Sequence, residues 1–238
     1  MNYSLPLIPM HLIKITGLWR EAQTGGGIHL DQKTCSSFLL GLLLFGLSLF
    51  GIQFAMATEE PSYRILEQSE PFEIRQYDPL IVAQVEVSGD LSEASSAGFR
   101  LIADYIFGNN ISVQKGSPSI TEPVPEKIAM TIPVIAESKT DQASWFIQFV
   151  MPKQYRLDTL PKPNNPQVKL VQVGAQKMAV IRFSGFVGED KLQEKTQALT
   201  EWIKSKNGVM VGSARLARYN PPWSLPWTRR NEILIPVQ

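Results

Sequence analysis

Only three residues of the types that most often ligate metals or form nucleophile–base pairs occur in the 238-residue chain, His11, His29 and Cys35, and all precede its globular part. The rest of the chain therefore cannot assemble a Ser-His-Asp or Cys-His apparatus, a zinc site of the usual ligands, a disulfide or a histidine-ligated heme. General acid–base work is left to Asp, Glu, Tyr or Lys. No close carboxylate pair stands at helical or strand spacing in the stretch with most binding potential, where Asp104 is the one acidic residue. An enzyme is thus the least favoured class, and burial and stacking are the chemistry that remains.

Two stretches carry that chemistry. Ser96, Phe99, Ala103 and Phe107 recur at helical spacing on roughly the opposite face from Leu91, Ala94, Gly98, Leu101, Ile102 and Tyr105, the expected core stripe. An outward apolar stripe marks a ligand groove or partner surface, unless the Pro-rich stretch from Gln114 to Pro125 covers it. The second stretch, Ala217 to Glu232, is a proline-stiffened loop with Tyr219, Trp223, Trp227, Arg229 and Arg230. It offers an aromatic wall and cations for ligand carboxylates, although Arg230 is expected to pair with Glu232 or a core carboxylate. Lys127 to Val134, with Met130 inside it, reads as an edge strand interrupted by proline.

The elements that must position these residues follow from periodicity. Phe72 to Tyr77 and Leu80 to Val87 alternate like half-buried strands. A helix then starts with Asp90 as cap and Glu93 at the capping-box position, and stops at Gly108-Asn109-Asn110. Strands are expected at Lys127 to Ala136 and Trp145 to Met151. The second half repeats the order with strands at Val168 to Val173 and Lys177 to Phe183, a helix from Glu189 to Lys206, and strands at Ala214 to Tyr219 and Glu232 to Val237. This predicts an α+β fold from a duplicated ββαββ unit, forming one domain over residues 58–238 with halves near 58–160 and 167–238.

Of the 23 basic and 22 acidic residues, Lys14, Arg20 and Lys33 and Glu21 and Asp31 precede Thr58, leaving twenty of each. So even a balance argues against a nucleic-acid partner. Phe38 to Ala57 is uncharged and ends in Ala55-Met56-Ala57, the pattern of a signal peptide over residues 1–57 or of an uncleaved membrane anchor. Either reading predicts an exported, periplasmic or other extracytoplasmic domain, touching a membrane only through that segment.

Glu70 to Tyr77, Asp104 to Asn110, Ile128 to Val134, Phe149 to Pro152, Tyr219 to Trp223 and Arg229 to Glu232, taken in order, resemble the SOUL heme-binding protein family from about Pro61 to Gln238. The resemblance implies a distorted antiparallel β-barrel or twisted sheet from two related halves with two outer helices. It implies noncovalent binding of heme or another tetrapyrrole near the first helix and the late Pro-Pro loop, and kinship with gyrase-inhibitor-like small-molecule sensor domains. Its ligand-facing helix surface falls on Ser96, Phe99, Ala103 and Asp104, and its loop wall on Tyr219 and the residues after Pro222. Where mammalian members meet heme propionates with basic residues, this chain has Ser96, Asp104 and Ser224, with Arg100 and Arg229 the nearest cations.

The expected ligand-binding set is therefore Ser96, Phe99, Arg100, Ala103, Asp104, Phe107, Met130, Tyr219, Trp223 and Arg229, with no metal site of its own. The expected role is a monomeric extracytoplasmic carrier, buffer or sensor of a flat hydrophobic ligand. The alternatives are a protein- or membrane-interaction module using the Phe99/Phe107 face and a small-molecule sensor domain.

Overall fold

Period-two patterning and local capping account for most of the elements in the computed structural model, which describes residues 58–112, 124–139 and 144–238. The N-terminal segment read as an address and most of the Gln114–Pro125 stretch lie outside the described residues. The strands are β1 (Tyr63–Ser69), β2 (Phe72–Tyr77), β3 (Leu80–Ser88), β4 (Asn110–Ile111), β5 (Val134–Lys139), β6 (Ser144–Val150), β7 (Lys162–Pro163), β8 (Lys169–Val173), β9 (Gln176–Phe183), β10 (Arg215–Arg218) and β11 (Asn231–Pro236). Helix α1 is Leu91–Ile106 and α2 is Glu189–Ser205. The fold is α+β, a curled antiparallel half-barrel of nine strands with two helices.

Helix α1 begins where the capping box predicts: Asp90 accepts from the Ser92 and Glu93 amides at 2.8 Å, and the Glu93 carboxylate accepts from the Asp90 amide. α2 ends as Asn207 enters the left-handed region (φ 56°) and the Gly208 amide donates to the Ile203 carbonyl at 2.9 Å.

The large sheet runs β1-β2-β9-β11-β10-β5-β6-β3-β8, and β4 pairs with β7 separately. With β1 set aside, exchanging β2, β3, β5 and β6 for β8, β9, β10 and β11 gives the same order read from the opposite edge. β2 pairs with β9, and β8 with β3. α1 packs on β3 and β6, and α2 on β9 and β11. The strands between, β5 and β10, pair with each other beneath the gap.

The helix-bearing face holds the main core, including Ile102, Tyr105, Ile147, Phe149, Leu199, Ile203, Leu216 and Ile233. The face away from the helices holds a smaller cluster of Tyr77, Met178, Val180, Ala217, Tyr219 and Leu234.

Two expectations are corrected. Lys127 to Pro133 is not part of a strand, which begins only at Val134. The amides of Ile128 and Ile132 donate to the Ile106 and Glu59 carbonyls, and Pro133 has no donor to offer a ladder. The strand β1 was not anticipated because it lies at the sheet edge, exposed nearly throughout, so its sequence lacks alternation.

Candidate ligand groove

The site rises from how closely α1 lies on the sheet. Gly98 faces Ile147 of β6, where an added Cβ would come within 2.5 Å of the Ile147 Cγ1. Only glycine allows that approach, and it sets the helix low enough for its flank to meet the strand beside it. There Phe99, 39% exposed, places its ring 5.3 Å from Phe149, which is buried. The buried residues Leu91, Ala94, Gly98, Ile102, Ala103, Tyr105 and Ile106 show that Phe99 and Ala103 sit on the flank of the core stripe and not opposite it. Phe107 and Ser96 are exposed on the same side.

Strand register brings a cation to this flank. Arg218 is directly opposite Val134, which is opposite Phe149, so the three cross β10, β5 and β6 in one row on one face. The Arg218 guanidinium donates to the Ser95 hydroxyl at 3.0 Å and to the Val187 carbonyl at 3.5 Å. Ser95 is one helical turn before Phe99 on the same side. Burial, and then the neighbouring Arg229 guanidinium, push the Arg218 pKa below its ordinary value.

Arg229 stacks over the Phe186 ring at 4.5 Å and donates to the Ser224 and Pro222 carbonyls. Among the described residues neither Arg218 nor Arg229 has a carboxylate partner. A half-covered aromatic flank beside two guanidiniums held only by neutral groups is suited to a flat apolar molecule with carboxylate substituents.

The expected residues distribute unevenly. Phe99, Ala103, Phe107 and Ser96 share the α1 flank; Arg100 lies exposed beyond it. Asp104 is turned to the helix end, accepting from the Asn109 side-chain amide. Met130 is partly exposed in the segment that follows Ile128 past the end of α1. Trp223 projects, 84% exposed. Arg218 was not singled out from the sequence, although its signal was there: it stands two residues after the core residue Leu216 in a strand, on the same face.

Tyr219 points the other way. It is buried in the cluster away from the helices, and its hydroxyl donates to Glu232 at 2.7 Å. Glu232 is wholly buried there, taking two hydrogen bonds from Arg75 at 2.8 and 3.1 Å and one from Arg230 at 3.0 Å. Arg230 thus pairs with Glu232 and also with Glu60. Burial alone would raise the Glu232 pKa, but Arg75, Arg230 and the Tyr219 hydroxyl together hold it below the usual carboxylate value. Burial pushes the Tyr77 hydroxyl up to about 12 despite Arg75. Every polar group of this network is matched inside the protein, so it is a structural ion cluster.

A cleft of about 650 Å³ opens elsewhere, between Glu59, Asp78, Thr131, Lys153 and Tyr155. Its lining mixes apolar residues such as Leu80, Ile81, Val150 and Met151 with carboxylates and cations such as Glu59, Asp78, Lys153 and Arg156, and none of the residues expected from the sequence to bind a ligand lines it. Among the described residues no group of three or more His, Cys, Asp or Glu could hold a metal ion, and no helix is long and apolar enough to cross a membrane.

A sequence-family model described as SOUL heme-binding protein matches residues 58–236. No curated protein matches the chain. Among solved structures, the crystal structure of the EcmrR C-terminal domain aligns with a TM-score of 0.52 at 12% identity, covering 74% of this chain and 98% of that one. A structure titled as a hydrolase from Listeria innocua aligns with a TM-score of 0.47 at 10% identity, covering 73% and 94%. At such identities the likeness is one of fold alone.

Proposed function

Since the chain belongs to the SOUL heme-binding protein family, we propose that it binds heme or a related tetrapyrrole noncovalently in the groove beside α1, as a carrier, buffer or sensor. The observation that carries this reading is the pair Arg218 and Arg229, unmatched by carboxylates among the described residues, next to the half-exposed Phe99. The macrocycle would lie along Phe99, Ala103 and Phe107 with its carboxylates toward the two arginines. With no His or Cys after Cys35, affinity comes mainly from ring burial and charge-assisted hydrogen bonds, and any iron would be ligated by a Tyr or Met or by no side chain at all.

The uncharged run from Phe38 to Ala57 supports delivery of the domain across or onto a membrane, in an extracytoplasmic compartment. The exchange symmetry of the strand order supports an internal duplication.

Titration with hemin and metal-free protoporphyrin IX tests the proposal. Micromolar binding of both, to similar extents, is the expected result. Absence of micromolar binding of either overturns it.

A further inference from the structure

We propose that the loop from Asn220 to Arg229, together with Phe186, is a membrane-interface foot that seats in the headgroup region of a bilayer. Trp223 is 84% exposed, Trp227 72% and Phe186 67%, with Leu225 also exposed between the two indoles. Among the described residues the two tryptophans and Phe186 are the most exposed large apolar side chains. The loop beneath them is held fixed. Pro221, Pro222 and Pro226 restrict it, the Ser224 amide donates to Pro221 at 3.0 Å, and the Thr228 amide donates to Leu225 at 3.0 Å. Arg229 donates to the Ser224 carbonyl at 2.9 Å. The Phe186 loop is joined to it by the Gly185 amide donating to Pro226 at 2.9 Å. The exposed rings are thus presented by a bonded scaffold.

The side-chain types select lipid as the occupant. Indole has an apolar body and a polar N–H, and it partitions to the boundary between headgroups and tails. Arg229, lying against Phe186 without a carboxylate partner among the described residues, can meet a lipid phosphate at that depth. Glu189 and Asp190 at the start of α2 follow Phe186 closely and oppose a strongly anionic surface, so a zwitterionic phosphatidylcholine surface is the matching chemistry. The chain's own uncharged run Phe38 to Ala57, read above as a signal peptide or an anchor, delivers the domain across or onto a bilayer in either case. The proposal does not depend on a tetrapyrrole, because vesicles without one provide the surface.

The test uses the full chain carrying Trp19→Phe, which leaves Trp145 and Trp202 packed and Trp223 and Trp227 exposed. It is bound to phosphatidylcholine vesicles brominated either near the headgroup or deep in the acyl chain. Headgroup-proximal bromines are expected to quench the emission more than deep ones, and iodide quenching from water to fall several-fold. Both effects are expected to vanish in the Trp223→Phe/Trp227→Phe variant, whose exposed positions make misfolding no part of the outcome. Emission untouched by either bromine while the chain floats with the vesicles overturns the proposal. So does protection from iodide that grows with protein concentration and not with lipid, which would assign the loop to a second copy of the chain.

Discussion

Phe99→Ala separates a groove residue from a core residue, because the ring is divided between protein and solvent. About six-tenths of it is covered, given 39% exposure. Full burial of such a side chain is worth ~1.5–3 kcal/mol, so the covered part contributes ~1–2 kcal/mol to folding. The Phe149 contact adds ~0.5–1.5 kcal/mol. The exposed part is what a ligand can bury. For an aromatic side chain of ~200 Å² that is ~80 Å², or ~2 kcal/mol at ~25 cal/mol per Å², a roughly thirtyfold rise in dissociation constant. Ile102, fully buried on the same helix, is the control: Ile102→Ala should cost about 2–5 kcal/mol of stability with no specific loss of binding once folded. The assay pairs urea denaturation with porphyrin titration by absorbance. The reasoning is refuted if Phe99→Ala loses as much stability as Ile102→Ala while binding porphyrin unchanged.

Gly98→Ala should lower the melting temperature, although glycine to alanine inside a helix ordinarily stabilises by ~1 kcal/mol. The added Cβ would meet Ile147 at 2.5 Å, and overpacking of this kind costs about 1–3 kcal/mol; a raised melting temperature would contradict the close approach. Glu232→Gln should cost at most about 3–5 kcal/mol in chemical denaturation, since it removes the fully buried counter-ion of Arg75 and Arg230 and leaves them only the more exposed Glu73 and Glu60. Because folding depresses the Glu232 pKa, its contribution is complete above the ordinary carboxylate value and is lost as pH falls through the lower folded value. Thermal melts from about pH 5 to pH 2 should therefore show a steeper loss in the parent chain than in Glu232→Gln.

What the sequence made legible was local. The Asp90/Glu93 cap involves residues three apart, and α1 begins just after Asp90 as read. The alternating runs Phe72 to Tyr77 and Leu80 to Val87 both fall on strands, β2 and β3. Long-range partners were not legible. Lys127 to Pro133 has strand-like composition, but its amides go to Ile106 and Glu59, which no local pattern reports. Tyr219 was expected beside Phe99, yet alternation along β10 puts Leu216 and Arg218 on the helix face and Ala217 and Tyr219 on the other. Which face carries the helices is set by their packing on β3, β6, β9 and β11, a tertiary fact. The proposed site thus keeps its helix flank and Arg229, gains Arg218, and yields Tyr219 to the ion cluster around Glu232.

The question of face is also the most direct test of the account. Hemin is paramagnetic, so nuclear magnetic resonance signals close to the bound iron broaden first. The account predicts that, during a hemin titration, signals of Phe99, Ala103 and the Arg218 guanidinium broaden early while those of Tyr77, Tyr219 and Leu234 across the sheet persist. Early broadening centred on Tyr77 and Tyr219, with the α1 flank unaffected, would contradict it.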